Sequence, residues 1–189
     1  NRQIIYCEAD VGNAKAQLAA QAANTINPNI QVSHLAARLT KGNAKNLVAA
    51  HDVIVDCSDN ASTRYLLGDC AHHQGRTLVF GGAVRMEGQL AVFQSSVVGH
   101  VGTACYRCVF PSMPDAKQAS GCSEVGILGA VTGIVGSLQA LETVKLCMGQ
   151  DSSLTGSLLL IEAGQTEFLK ITTAPRKGCS CCGTDWETS

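Results

Sequence analysis

The run Val53-Ile54-Val55, flanked by Asp52 and Asp56, constrains this chain more than any other stretch. Continuous β-branched residues bounded by polar ones read as a strand buried on both faces, which is the mark of a parallel sheet. The run breaks into Cys57-Ser58-Asp59-Asn60, and a helical pattern resumes through Tyr65, Leu66 and Cys70. Asp59 and Asn60 therefore stand at the carboxyl end of a strand, where a helix begins. In open α/β sheets that edge binds ligands. A side chain there can cap the helix, and a carboxylate can also hold a metal ion, so both readings of Asp59 stay open. Asp56, still on the strand, is the weaker candidate.

The neighbouring segments carry the same alternation. A helical pattern follows Asp10 and runs to about Ile26, where Asn27-Pro28-Asn29 stops it. Ile30–Ala36 alternates as a strand does. Lys41–Ala50 reads as a short helix, Asn60–His73 as a helix capped by Asp59 or Asn60, and Thr77–Phe80 as a strand ended by Gly81-Gly82. This order predicts an α/β fold with a doubly wound, mostly parallel, Rossmann-like sheet. Beyond Gly82 the pattern changes. Gln89–Gln94 follows a turn with no intervening helix, which predicts an added antiparallel strand. Ser95–Ser123 is long and irregular, Val125–Cys147 is the longest helix, and Gly156–Glu162 with Thr166–Ile171 forms a closing hairpin.

At 189 residues the chain has enough material for one core. A net charge of −1 and 4% aromatic residues provide neither a basic field nor a stacking surface, which argues against a nucleic-acid ligand. Val125–Leu141 is uncharged, yet its glycines, Ser137 and Gln139 interrupt it, so a buried helix is expected rather than a membrane span. Ten cysteines with no signal peptide point to a reducing cytosol and metal-bound thiolates rather than a disulfide framework.

Two pairs at C-x-x-C spacing, Cys105/Cys108 and Cys179/Cys182, suit a tetrahedral Zn²⁺ site if the fold brings them together. With four thiolates the site is closed, hence structural. The bland alternative is ordinary buried cysteines, and Cys181 inside the second pair is an ambiguity. Arg2 and Lys15 share one half of the domain and suit phosphates, although by themselves they read as solvated charges. Cys122 precedes the long helix, where a thiol has a lowered pKa and can act as a nucleophile; alone it reads as an inert loop cysteine. Arg64 has equal claims to a ligand and to the surface. The five histidines form no ligand spacing.

Several segments, in order, join these pieces: Arg2-Gln3, Val11-Gly12-x-x-Lys15, Asn27-Pro28, Asp56-Cys57-Ser58-Asp59-Asn60 with Thr63-Arg64-Tyr65, Arg85-x-Glu87-Gly88-Gln89, Cys105-Tyr106-Arg107-Cys108-Val109-Phe110-Pro111, Gly126-x-Leu128-Gly129, Gly136–Glu142 and Cys179-x-x-Cys182-Gly183. In these the chain resembles the ThiF/MoeB/HesA adenylyltransferases, relatives of ubiquitin-activating enzymes, and within them the molybdopterin-synthase adenylyltransferase and adenylyltransferase–sulfurtransferase branch. The resemblance implies adenylation of the C-terminal Gly-Gly of a ubiquitin-like sulfur-carrier protein by ATP·Mg²⁺, for molybdenum-cofactor synthesis or tRNA thiolation. It implies phosphate contacts from Arg2 and Lys15, and places Asp59, with Asn60, near Mg²⁺ and the reacting phosphate. It further implies structural zinc on the four cysteines, a homodimer in the cytoplasm, and a thioester or acyl-disulfide role for Cys122 that only some members use.

The departures from that pattern lie at the two ends. The family's first βαβ unit, with its Gly-rich nucleotide loop and ribose-binding acid, belongs before Asn1. So does the arginine that family dimers lend to the neighbouring subunit. The expectation is a single partial domain over residues 1–189, truncated at its N-terminus and impaired in ATP binding. Within these 189 residues no rhodanese-like domain is expected, so sulfur transfer in cis is not expected of them. Two other readings compete: a non-catalytic, zinc-bound scaffold that binds the carrier, and a dinucleotide-dependent oxidoreductase. The second lacks any Gly-x-Gly-x-x-Gly and leaves the cysteine pairs unexplained.

Overall fold

The computed structural model describes residues 2–114 and 126–183. It separates into two compact units, Asn1–Leu39 and Thr40–Ser189. The first unit holds a 3₁₀ turn at Glu8–Asp10 and helix α1, Lys15–Ile26. The helix starts later than the sequence pattern predicts, because the chain still turns at Glu8–Asp10, where the Asp10 carboxylate accepts the Cys7 backbone N–H at 2.8 Å. Ile30–Ala36 forms no strand. Its alternation is genuine, but no described segment pairs with it, and a strand without a neighbour gains no ladder.

The second unit contains α2 (Lys41–Ala49), β1 (Val53–Asp56), α3 (Ala61–His73), β2 (Thr77–Val84), β3 (Glu87–Phe93), α4 (Tyr106–Val109), α5 (Gly129–Cys147), β4 (Ser157–Glu162) and β5 (Glu167–Thr172). The strands form one sheet in the order β1-β2-β3-β4-β5. Only β1 and β2 pair in parallel, with Val53 opposite Thr77; the other three pairings are antiparallel. The expected mostly parallel sheet is thus corrected to a mixed one. The reason is local: among the described strands only β1 and β2 are joined by a helix that returns the chain in the same direction, α3, and every later connection between adjacent strands reverses direction, the one through α4 and α5 included.

The pleat sends alternate side chains to opposite layers. On one face Leu78, Phe80, Ala91 and Phe93 pack with Val48 of α2, Tyr65 and Ala71 of α3 and Tyr106 of α4. On the other, Val79, Leu90 and Val92 pack with Leu138 and Leu146 of α5 and with Leu154 and Leu159. Helices therefore cover both faces, as an α/β layer architecture requires.

Gly81 and Gly82 do not end β2, which runs through them to Val84. A Cβ on Gly81 would stand 2.3 Å from Cδ of Gln139, so the glycine admits that side chain to the sheet. Gln139 uses the space to donate from Nε2 to the carbonyls of Asp56, at 2.9 Å, and Val79, at 3.3 Å. Helix α5 begins at Gly129 rather than Val125. Ile127 is instead bridged to Arg85, whose N–H donates to Gly126 O and whose carbonyl accepts from Leu128 N.

Candidate active site and metal centre

At the carboxyl end of β1 the chain turns sharply before α3. Asp56 is buried, its Oδ1 accepting the Ser58 N–H at 2.9 Å, which folds the Cys57-Ser58 turn. Arg64, one turn into α3, donates to the Ser58 carbonyl from Nε and Nη2 at 3.2 and 2.8 Å and lies 5.3 Å from the Phe80 ring centroid. It braces the turn and lines the cleft beside it.

Asn60 is the cap of α3: its Oδ1 accepts the Thr63 N–H at 2.9 Å. That leaves Asp59 with no capping role. Its carboxylate is exposed and, among the described residues, has no hydrogen-bond or ion-pair partner. It stands at the rim of a cleft of about 420 Å³ walled by Phe80, Tyr106, Phe110 and Pro111, with Gln89 and Arg64 adding polar atoms. An apolar slot with a free carboxylate at its rim suits a narrow, uncharged chain approaching a cation or phosphate held at the mouth.

In the first unit, Arg2 and Lys15 line one pocket of about 530 Å³. Lys15 Nζ donates to Gln3 Oε1 at 2.8 Å and lies 5.6 Å from the Tyr6 ring centroid, while the Tyr6 hydroxyl donates to the Lys15 carbonyl. Glu8 and Asp10 line the same pocket. Cys122 falls outside the described residues.

The fold brings the two cysteine pairs together. Sulfurs of Cys105, Cys108, Cys179 and Cys182 all lie within 4.8 Å of one another. Cys105–Cys179 is 3.6 Å, Cys108–Cys182 3.3 Å and Cys105–Cys108 3.7 Å. Tetrahedral Zn²⁺ with bonds of about 2.3 Å places its sulfurs roughly 3.8 Å apart, so the four thiols fit that ion. Their charge balance agrees. Hydrogen bonds from Cys181 and then from Cys182, Cys108 and Cys179 outweigh burial and hold Cys105 as a thiolate, with its pKa lowered to about 4. Cys182 is driven upward, first by burial, and Cys181, first by its bond to Cys105. The cluster accepts one negative charge and resists a second until a cation arrives. Cys181 lies outside the four-sulfur set.

Sequence reasoning passed over the polar contacts that tie this knuckle to the cleft. Arg107, inside the first C-x-x-C, donates to Asp69 of α3 from Nε at 2.6 Å and Nη2 at 2.7 Å, and its guanidinium sits 4.9 Å from the Tyr65 ring centroid. Tyr65 in turn donates toward the carbonyls of Phe110 and Ser112. Gly68 makes room for α4, since a Cβ there would stand 2.6 Å from Cβ of Tyr106. The available signals were a Tyr in a helical pattern and a glycine on the same helix, neither of which points to a distant partner.

Known proteins settle the relationship. The sequence profile of the ThiF family matches residues 1–181. The chain belongs to the ThiF family. As a ThiF-family chain it is 43% identical over 183 residues to the adenylyltransferase and sulfurtransferase MOCS3 of Bos taurus, covering 96% of this chain and 39% of that protein. It is 39% identical over 184 residues to the sulfur carrier protein adenylyltransferase of Thermus thermophilus, covering 97% of this chain and 68% of that one. The chain thus spans well under half of the cattle relative. Among solved structures, E. coli MccB with AMPCPP and MccA superposes with a TM-score of 0.75 at 17% identity, over 96% of this chain and 55% of MccB, which shows a shared fold. No helix among the described residues is long and apolar enough to cross a membrane.

Proposed function

We propose that residues 1–189 act as one adenylyltransferase domain that activates the C-terminal glycine of a ubiquitin-like sulfur-carrier protein. One carboxylate oxygen of the carrier bonds to the α-phosphorus of ATP, the bond from that phosphorus to the bridging oxygen breaks, and pyrophosphate leaves with its electron pair. The residues have to neutralise a triphosphate and hold the carboxylate in line with the leaving group. On this reading Arg2 and Lys15 would contact the phosphates, and Asp59 with Asn60 would act near Mg²⁺ and the reacting phosphate, which is the role the family resemblance implies for each. The observation that carries this reading is the division of labour at α3: Asn60 caps the helix, and the Asp59 carboxylate is left over at the rim of an apolar slot. Cys122 is assigned the acceptor of the activated carrier.

Zinc on Cys105, Cys108, Cys179 and Cys182 supplies a closed structural crosslink and no chemistry. Exposed Ile134, Leu141 and Val144 on α5 are the apolar residues we assign to a homodimer contact. A reducing cytoplasm suits this thiol content, and molybdenum-cofactor synthesis or tRNA thiolation is the destination of the activated carrier.

ATP–pyrophosphate exchange with a Gly-Gly-ended carrier tests the proposal, run on the 189 residues and on the same chain preceded by a Gly-rich nucleotide loop. Exchange that requires Asp59 supports it. A second reading is a zinc-bound scaffold that binds the carrier without adenylating it. Carrier binding indifferent to ATP, with no exchange from either form, selects the scaffold.

A further inference from the structure

We propose that Tyr65 is a positioning residue whose hydroxyl sets the width of the slot beside Asp59, and that this width discriminates glycine from larger residues at the end of the bound chain. The part concerning glycine rests on the function proposed above; the part concerning the slot wall does not.

The slot has two sides that belong to different elements. Asp59 and Asn60 start α3, whereas Phe110, Pro111 and Ser112 leave the end of α4. Among the described residues, the Tyr65 hydroxyl is the one side-chain hydrogen-bonding group that joins α3 to that second wall. It lies 3.0 Å from the Phe110 carbonyl and 2.5 Å from the Ser112 carbonyl. Two carbonyls, two residues apart, thus converge on a single proton, and the backbone between them, including Pro111, is fixed at one distance from α3. Pro111 supplies no N–H, and the Phe110 N–H is spent on the Tyr106 carbonyl at 2.9 Å, within the end of α4.

The tyrosine itself is not free to drift. It is 3% exposed, meets the Tyr106 ring edge-on at 5.1 Å, and lies under the Arg107 guanidinium, which Asp69 of α3 anchors. Burial pushes its phenol pKa up, so it remains a donor. Every one of these packing contacts uses the ring, which a phenylalanine would keep. The hydroxyl alone reaches the wall, and its loss leaves two carbonyls that must seek water by moving outward. On the carrier reading, a wall that moves outward widens the slot for a terminal residue larger than glycine.

Tyr65→Phe separates these roles. Hydrogen exchange followed by mass spectrometry is measured on the zinc-loaded chain, with thermal unfolding and metal content alongside. The expected result is exchange over residues 106–114 accelerated about tenfold, with β2 and β3 unchanged and one Zn²⁺ retained. Titration with a peptide ending in Gly-Gly and one ending in Gly-Ala is expected to show the wild-type preference for Gly-Gly shrinking about fivefold or more in the variant. Unchanged exchange over 106–114, or an equal rise across the whole sheet, overturns the positioning role. Altered exchange with an unchanged Gly/Ala ratio overturns the specificity role. If the wild-type chain binds neither peptide, the carrier reading and the specificity role fall together, and the exchange result still decides whether Tyr65 holds the wall.

Discussion

Arg107 grips Asp69 through both a terminal and an internal guanidinium nitrogen, at 2.7 and 2.6 Å, across the gap between the metal knuckle and α3. The paired geometry is the one a planar guanidinium makes with a carboxylate, and an ammonium cannot reproduce it. Side chains here are 24% and 30% exposed, so solvent screens the pair only in part. A double-mutant cycle with Arg107→Ala and Asp69→Ala, read by urea unfolding of the zinc-loaded chain, is expected to give a coupling of roughly 1–2 kcal/mol. Arg107→Lys keeps the charge and is expected to recover less than half of it. Coupling indistinguishable from zero would mean that the knuckle is held by its sulfurs alone.

The start of α3 offers a clean separation of stability from function. Asn60→Ala removes the cap and is expected to cost about 1 kcal/mol in chemical unfolding. Asp59→Ala removes an exposed, unpartnered carboxylate and is expected to change stability by less than about 0.5 kcal/mol, yet to abolish carrier-dependent ATP–pyrophosphate exchange. An Asp59 variant with full exchange activity sinks its assignment to the reacting phosphate.

Metal content tests the four-sulfur assignment. The chain is expected to hold one Zn²⁺, as elemental analysis reports it. Cys108→Ser is expected to lose the ion and lower the melting temperature, whereas Cys181→Ser keeps both within error, because Cys181 lies outside the set. Chelation at neutral pH is expected to reproduce the Cys108→Ser phenotype. Equal loss from Cys181→Ser would redraw the ligand set.

His72 adds a dependence on pH. Burial, the largest influence, lowers its pKa from the ordinary 6.5, and Nδ1 lies 2.8 Å from Ser95 Oγ. Between the folded and unfolded values the unfolded chain binds the extra proton. Its contribution to stability is therefore complete above the ordinary value and is lost as pH falls below it. Melting of the zinc-loaded wild type is expected to drop further between about pH 7.5 and about pH 5.5 than that of His72→Gln. Parallel slopes would remove His72 from the account.

How much of this was legible depended on whether the signal was local. The β-branched run Val53–Val55, the helix that follows it, and the two cysteine spacings announce themselves within a few residues, and the fold keeps β1 and α3 within a residue of where the pattern places them; the expected burial on both faces fails, since β1 lies at the edge of the described sheet and Val55 is exposed. The choice between Asp59 and Asn60 as cap was not legible, since both side chains suit it and only the turn geometry decides. Ile30–Ala36 failed for want of a neighbour, which no single segment can report. Gly81-Gly82 read as a terminator because glycine usually ends a strand; the cause of these glycines is a side chain arriving from position 139, 58 residues later in the chain by the numbering. Tyr65 and Arg107 escaped notice for the same reason, their partners being set by the fold.

The contact between Gly81 and Gln139 also makes position 81 a lever on the turn. A side chain as small as alanine's at 81 would meet the Gln139 amide and push it aside. That displacement would withdraw the donor from the Asp56 and Val79 carbonyls, at the root of the turn that presents Asp59. One added methyl group on β2 is therefore felt at the start of α3.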